Sequence, residues 1–420
     1  MTELLKKLIE EKINRKVKTR GDCEFISNAI LETLDINISY STIKRLYGLN
    51  TQTTPNYRTL NALAKFVGYK NYLHLTQNYK YEDKNNLNFQ IYKTVSLESD
   101  IAIIDLVKAT KKSSENFTDF IVMLIRELLH NENYELVNSI FKLDALKQSS
   151  FTYSEVLHIG NSIGLLLQNK KEINKILLNN INFLDCVYST FVDYSNLNNY
   201  YGKSTKYIST QNTTRELQIF TLSLLELKNY LNHKPVATIH KDLIYSKELH
   251  PILCSRLLSL NFLNSKKTNE KTLLNNYFKT HEKRVNLIDY SHELFTIAII
   301  TKNLFLMDYL IHKINPDLKI SFLYQQFHLN SFYLMCLFYY RTVNDKKNEL
   351  KFHKLFSLDN CTIGYGSFLK TLYFVYLYNS SYKNVKDDVK KEYHEFARKM
   401  NYSLFNDYFL RLRAADRRRD

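Results

Sequence analysis

Between Ser39 and Gly68 the chain reads SYSTIKRLYGLNTQTTPNYRTLNALAKFVG. Its hydroxyl and cationic side chains are spaced to do chemistry together. At about 100° per residue, Ser41, Thr42, Lys44 and Arg45 fall on one arc of a helix, and Tyr40, Ile43, Leu46 and Tyr47 fall on the other. One arc packs and the other offers hydroxyls and charge. Small hydroxyl residues at the start of a short helix approach base edges closely, and an arginine beside them can pair with guanine, which suits the major groove of duplex DNA. The surroundings agree, because residues 36 to 81 hold no Asp or Glu yet carry Lys44, Arg45, Arg58, Lys65, Lys70 and Lys80.

The flanking sequence must position this helix. Leu4, Leu5, Leu8, Ile9 and Ile13 make the apolar stripe of a first helix, expected to end in the basic stretch Arg15 to Arg20 with Gly21 behind it. Asp22 is expected to cap a second helix carrying Phe25, Ile26, Ala29, Ile30 and Leu34. The acids of this region lie in these two helices, on the side expected to face away from nucleic acid. The turn Leu34 to Ile38 has no glycine, so Asn37 is expected to supply a left-handed residue. Ser39 is expected to cap the third helix with its side chain, and Gly48 stands where a C-terminal left-handed residue is wanted. After the polar loop Asn50 to Pro55, Leu60, Leu63, Ala64 and Val67 predict a fourth helix, and Tyr69 to Leu75 a fifth.

Ser39, Ser41, Thr42, Ile43, Lys44, Arg45, Leu46 and Gly48, then Pro55, then Thr59, Leu60, Leu63, Ala64 and Gly68, give a pattern that resembles the Xre, or lambda-repressor-like, helix-turn-helix class. The resemblance covers roughly the first 75 residues and implies binding of double-stranded DNA. The candidate DNA contacts are Ser39, Tyr40, Ser41, Thr42, Lys44, Arg45 and Arg58. A short basic helix is also a common surface element, and helix-turn-helix shapes serve as protein contacts. The TLxxLA helix and the acid-free window favour DNA.

The rest of the composition excludes more than it assigns. With 8 Gly and 4 Pro in 420 residues, long Leu/Ile/Lys/Glu/Asn segments and a 45% hydrophobic content, the expectation is an all-α globular chain. A net charge of +16 favours a polyanionic partner. Five scattered cysteines, Cys23, Cys186, Cys254, Cys336 and Cys361, suggest reduced core residues rather than a disulfide framework or a CxxC site. No GxxxxGK[ST], GxGxxG, GxSxG or HExxH pattern occurs, so no enzyme activity, cofactor or metal is expected, and the twelve histidines read as surface or structural residues. No apolar run approaches membrane-span length and the N-terminus is charged and amphipathic, so a cytoplasmic location is expected.

The expected layout is a helix-turn-helix domain over 1–78, a connector over 79–100, an α-helical repeat-like domain over 101–400 and a basic tail over 401–420. Amphipathic segments are Phe117 to His130, Tyr134 to Leu146, Tyr153 to Gln168, Phe183 to Leu197, Arg215 to Leu231, Lys247 to Leu263, Ser291 to Ile314, Ser321 to Tyr340 and Phe368 to Asn379. Such a succession weakly resembles tetratricopeptide-like α-solenoids, although the consensus residues of that repeat are missing. Gly160 and Gly164 suggest close helix packing, and Phe191 to Gly202 either lines a ligand groove or forms a polar, aromatic inner face. The tail's Arg411, Arg413, Arg417, Arg418 and Arg419 read first as a solvated end or as residues added for expression, and second as a phosphate grip. The whole layout is similar to peptide-responsive bacterial regulators. That similarity implies a homodimer whose helical domain binds a peptide or protein ligand. A helical scaffold docking a protein through its N-terminal module is the alternative, and an enzyme comes third.

Overall fold

The computed structural model describes residues 2–51, 55–76, 88–93, 95, 99–113, 116–168, 170, 173–237, 241–264, 270–281, 286–314, 323–361, 363–380 and 386–406. The arginines of the C-terminal tail and most of the expected connector lie outside them. Helices and no strand occur among the described residues, so the fold is all-α. No described helix is long and apolar enough to cross a membrane. The chain divides into two compact units, Met1–Asp105 and Leu106–Asp420.

In the first unit the helices are α1 (Thr2–Lys12), α2 (Arg20–Leu34), α3 (Tyr40–Leu46) and α4 (Tyr57–Phe66), with a further helical stretch over 72–76. One core holds them. Leu5 and Ile9 of α1, Ile26 and Ile30 of α2, Ile43 and Leu46 of α3, and Leu60 and Leu63 of α4 are buried together. Three local expectations are corrected. Thr19, not Asp22, is the N-cap of α2, with Asp22 as the third residue of a capping box and Gly21 inside the first turn rather than behind α1. Asp35, not Asn37, takes the left-handed conformation after α2, with φ 53°. Ser39 sits at the N-cap position of α3, but its side chain caps no backbone N–H and lies instead 2.9 Å from Ser41 Oγ and 3.0 Å from Thr42 Oγ1.

Gly48 does as expected. It adopts φ 70°, its N–H donates to the Arg45 carbonyl at 3.2 Å, and the next N–H, of Leu49, donates to the Lys44 carbonyl at 3.0 Å. This Schellman closure ends α3 after about two turns. Gly68 ends α4 the same way.

The second unit is a succession of packed helices. Those used below are α5 (Phe117–His130), α6 (Tyr153–Gln168), α7 (Arg215–Leu231), α8 (Pro251–Asn264), α9 (Leu287–Thr301), α10 (Leu323–Thr342) and α11 (Gly366–Ser380). They pack α5 on α6, α7 on α8, α8 on α9, α9 on α10 and α10 on α11. The expected segment Ser291 to Ile314 is two helices, because Lys302 turns left-handed at φ 52° and Asn303 caps the helix Leu304–Lys313.

The expected helix Phe183 to Leu197 is instead a π-helical turn, Leu184–Tyr188, a loop and a short 3-10 turn, Tyr194–Asn196. Ser189 and Thr190 hydroxyls donate to the carbonyls of Leu184 and Asp185. The Leu184 carbonyl also accepts the Ser189 N–H at 2.8 Å, the i−5 bond that closes the π turn.

That broken segment is the hub of the unit. Tyr402 Oη donates to Tyr194 O at 2.6 Å and accepts from Leu197 N at 2.8 Å, while Ser195 Oγ donates to Gly364 O at 3.1 Å. In an open helical stack each layer touches only its neighbours. Here residues roughly 170 to 208 positions apart are hydrogen-bonded, so this segment ties the middle of the unit to its C-terminal part. Gly160 and Gly164 of α6 allow the hub to approach, since a Cβ on Gly164 would lie 2.1 Å from Phe191 Cγ and one on Gly160 2.6 Å from Thr190 Cγ2.

Candidate functional site

The outer face of α3 is the site the sequence singles out. Ile43 and Leu46 are buried in the core, which fixes the rotation of the helix. Ser41 and Arg45 are then fully on the surface and Thr42 and Lys44 half-exposed. Arg45 Nε donates to the Ser41 carbonyl at 3.3 Å, a bond along the helix that lays the guanidinium over its first turn.

Tyr40, read by helical angle as part of the packed arc, is 37% exposed, with the Arg20 guanidinium 4.8 Å from its ring centre. A residue in the first turn has no preceding turn of helix to pack beneath it, so the angular pattern misplaces it. Tyr47 does pack, and its hydroxyl donates to Lys6 O at 3.0 Å. Ser39 is exposed, and Arg58 is exposed near the start of α4, which Asn56 caps by accepting from Thr59 N at 2.9 Å. The structure therefore gathers Ser39, Tyr40, Ser41, Thr42, Lys44 and Arg45 on one short helix and puts Arg58 on another.

Electrostatics separate the two ends of this unit. Glu3, Glu10, Glu11, Asp22 and Glu24 each pair with a cation of α1, α2 or the loop between them. Hydrogen bonds from Lys18 N and from Thr19, with Arg15 beside them, hold the Asp22 carboxyl below its ordinary range. Among the described residues, none of Lys44, Arg45, Arg58, Lys65 or Lys70 pairs with a carboxylate. The window therefore carries uncompensated positive charge. Glu24 departs from the expected segregation, because Arg20 links it at 2.7 Å to the Tyr40 ring at the start of α3.

The second unit holds a cluster that no local motif announces. Arg256 of α8 and Glu293 of α9 form an ion pair, Arg256 Nη2 also donates to Tyr194 Oη at 2.6 Å, and both Tyr194 and Tyr365 donate to the Glu293 carboxylate. Tyr194 and Tyr365 stack with centres 3.8 Å apart. Burial pushes the Glu293 carboxyl up, and Arg256 with its neighbours outweighs that and holds it below its ordinary value.

Beside the pair, His292 stacks on His328 at 4.1 Å, and Asp289 accepts from Gln325 and faces His328 Nδ1 at 2.9 Å. Burial, with His328 alongside, lowers His292 to about 4. All of these except Asp289 and Gln325 line a cavity of about 490 Å³. The sequence pointed only to its Phe191 to Gly202 wall, because the remaining residues come from helices far apart in the chain. The five cysteines are buried and none is in a disulfide. No family model, curated protein or solved structure matches the chain.

Proposed function

We propose that the chain is a DNA-binding transcriptional regulator. Its first unit reads duplex DNA with α3, and its second, a helical unit, dimerises and senses a peptide or protein ligand. Ser41, Thr42 and Arg45 address base edges, and Lys44 and Arg58 address phosphates. One observation carries this reading: a two-turn helix, fixed by Ile43 and Leu46, turns hydroxyls and an arginine outward on a surface where Lys44, Arg45 and Arg58 have no carboxylate partner among the described residues. Polar contacts of that kind specify bases, and the surrounding charge supplies salt-sensitive affinity. The likeness of the segment to Xre-like helix-turn-helix domains supports it.

The test is a mobility-shift titration of the full chain on duplex DNA, wild type against Arg45→Ala. Loss of a base-reading arginine costs about 1 to 3 kcal/mol of binding and relaxes preference at one base pair. An unchanged affinity in a variant of unchanged melting temperature would overturn the assignment. A protein-docking scaffold is the second reading, favoured by the exposed Phe25 and Leu31 of α2, 48% and 44% accessible. A scaffold would leave duplex DNA unshifted.

A further inference from the structure

Among the described residues of the second unit, Leu350 is the most exposed large apolar side chain, at 63%. It stands on the helix Lys346–Leu355, KKNELKFHKL, in which four of the ten residues are lysines. At about 100° per residue, Lys346, Lys347 and Lys354 lie within about 60° of Leu350 and Lys351 within about 100°, while Phe352 lies about 160° away. Phe352 is buried and packs on Phe332, Tyr333 and Tyr340 of α10. That ring fixes the rotation of the helix, and the rotation turns Leu350 and the four exposed lysines outward together.

The acids of this stretch are engaged locally. Glu349 accepts from Arg341 Nη2 and, at 2.8 Å, from Tyr376 Oη. Asp345, the N-cap, accepts from Asn348 N at 3.1 Å. Among the described residues, no carboxylate pairs with Lys346, Lys347, Lys351 or Lys354. Val343, just before the helix, and Leu355, at its end, are a further 46% and 42% exposed. The face is therefore an apolar tip ringed by uncompensated positive charge.

Its chemistry selects among anionic partners. A nucleic-acid backbone would meet the lysines and leave Leu350 against phosphates and water. A protein partner fits poorly, because lysine, a strongly hydrated point charge on a flexible stem, is depleted at protein interfaces. An anionic lipid surface satisfies both parts of the face: the lysine stems lie along the acyl boundary with their ammonium groups among the headgroup phosphates, and the leucine between them enters the boundary itself. Such a contact is peripheral and requires no spanning helix, and none is found among the described residues.

We propose that this face of the helix Lys346–Leu355 docks on an anionic phospholipid bilayer, with Leu350 inserted and Lys346, Lys347, Lys351 and Lys354 on lipid phosphates. The proposal goes beyond the reading of α3 as a DNA reader and does not rest on it.

The experiment is co-sedimentation of the full chain, without DNA, with vesicles of equal parts phosphatidylglycerol and phosphatidylcholine and with vesicles of phosphatidylcholine alone. The wild type should bind the anionic vesicles and not the neutral ones. Lys346→Gln, Lys347→Gln, Lys351→Gln and Lys354→Gln combined should weaken that binding about a hundredfold or more. Leu350→Asn leaves the charge unchanged and should weaken it about three- to tenfold. Both variants change exposed side chains, so the melting temperature should hold. Lys44→Gln with Arg45→Gln, in the first unit, should affect vesicle binding far less than the four-lysine variant does. No binding to anionic vesicles, undiminished binding by the four-lysine variant, or wild-type vesicle binding by Leu350→Asn would overturn the proposal. That last result, joined to a loss of duplex DNA affinity in the four-lysine variant, would assign the face to nucleic acid instead. Failure of α3 to bind DNA would leave the vesicle result standing, so the two readings fall separately.

Discussion

Arg256 Nη2 lies 2.8 Å from Glu293 Oε1, with the two side chains 3% and 2% exposed. Removing one partner leaves the other charge buried and unpaired, at a cost of about 3 to 5 kcal/mol. Arg256→Met and Glu293→Leu should each destabilise by that order, and the double substitution should recover a large part of the loss. Far-ultraviolet circular dichroism under urea checks this in a chain with no Trp. Additive losses would mean that the two residues act separately.

Gly164 is expected to tolerate no side chain, because its added Cβ would meet the Phe191 ring. Gly164→Ala should cost about 1 to 3 kcal/mol by overpacking, and adding Phe191→Leu should return part of it. The urea midpoint measures both, and a neutral Gly164→Ala would contradict the packing of α6 on the hub.

Stability should depend on His292 with a definite sign. Its folded value, about 4, lies below the ordinary value of about 6.5, so the unfolded chain takes up the proton first. The contribution is therefore fully present above pH 6.5 and is lost as pH falls toward 4, by about 1 to 2 kcal/mol between pH 7 and pH 5. Asp185 and Asp193, both raised to about 6 by burial, act in the opposite sense over about pH 4 to 6. The informative quantity is thus the difference between wild type and His292→Gln: the wild type should lose more stability than the variant from pH 7 to pH 5, and equal losses would rule out a neutral buried His292.

Much of the helical framework was legible because burial follows periodicity. The helices Phe117–His130, Tyr153–Gln168 and Arg215–Leu231 begin and end where the amphipathic pattern does. Expectation failed where the backbone departs from that pattern: Leu184–Tyr188 winds into a π turn, with the Ser189 and Thr190 hydroxyls bonded back to the Leu184 and Asp185 carbonyls, and a left-handed Lys302 splits another expected helix. The Thr301-Lys302-Asn303 sequence did carry a signal, since Asn303 is a strong N-cap. The helix Lys386–Met400 passed unnoticed because its few buried residues, Val389, Tyr393, Ala397 and Met400, are dispersed among charges. The exposed face of α3 could be read because its residues are neighbours in sequence. The Arg256 cluster could not, since residues 194, 256, 293 and 365 meet only in the folded unit.

Genomic specificity calls for more than one short helix, so the full chain should be a dimer spanning half-sites about 34 to 36 Å apart or a multiple of that. Light scattering at micromolar concentration, with and without DNA, reads this directly. A monomer in both conditions would remove dimerisation from the role of the second unit.

The salt dependence of DNA binding by the full chain is the most direct measurement. If each head neutralises four to six phosphates, log K should fall against log salt with a slope of about −4 to −5 per head. Arg45→Ala should weaken binding at every salt concentration. Absence of binding at low salt, or binding indifferent to salt, would contradict a DNA-reading role for α3.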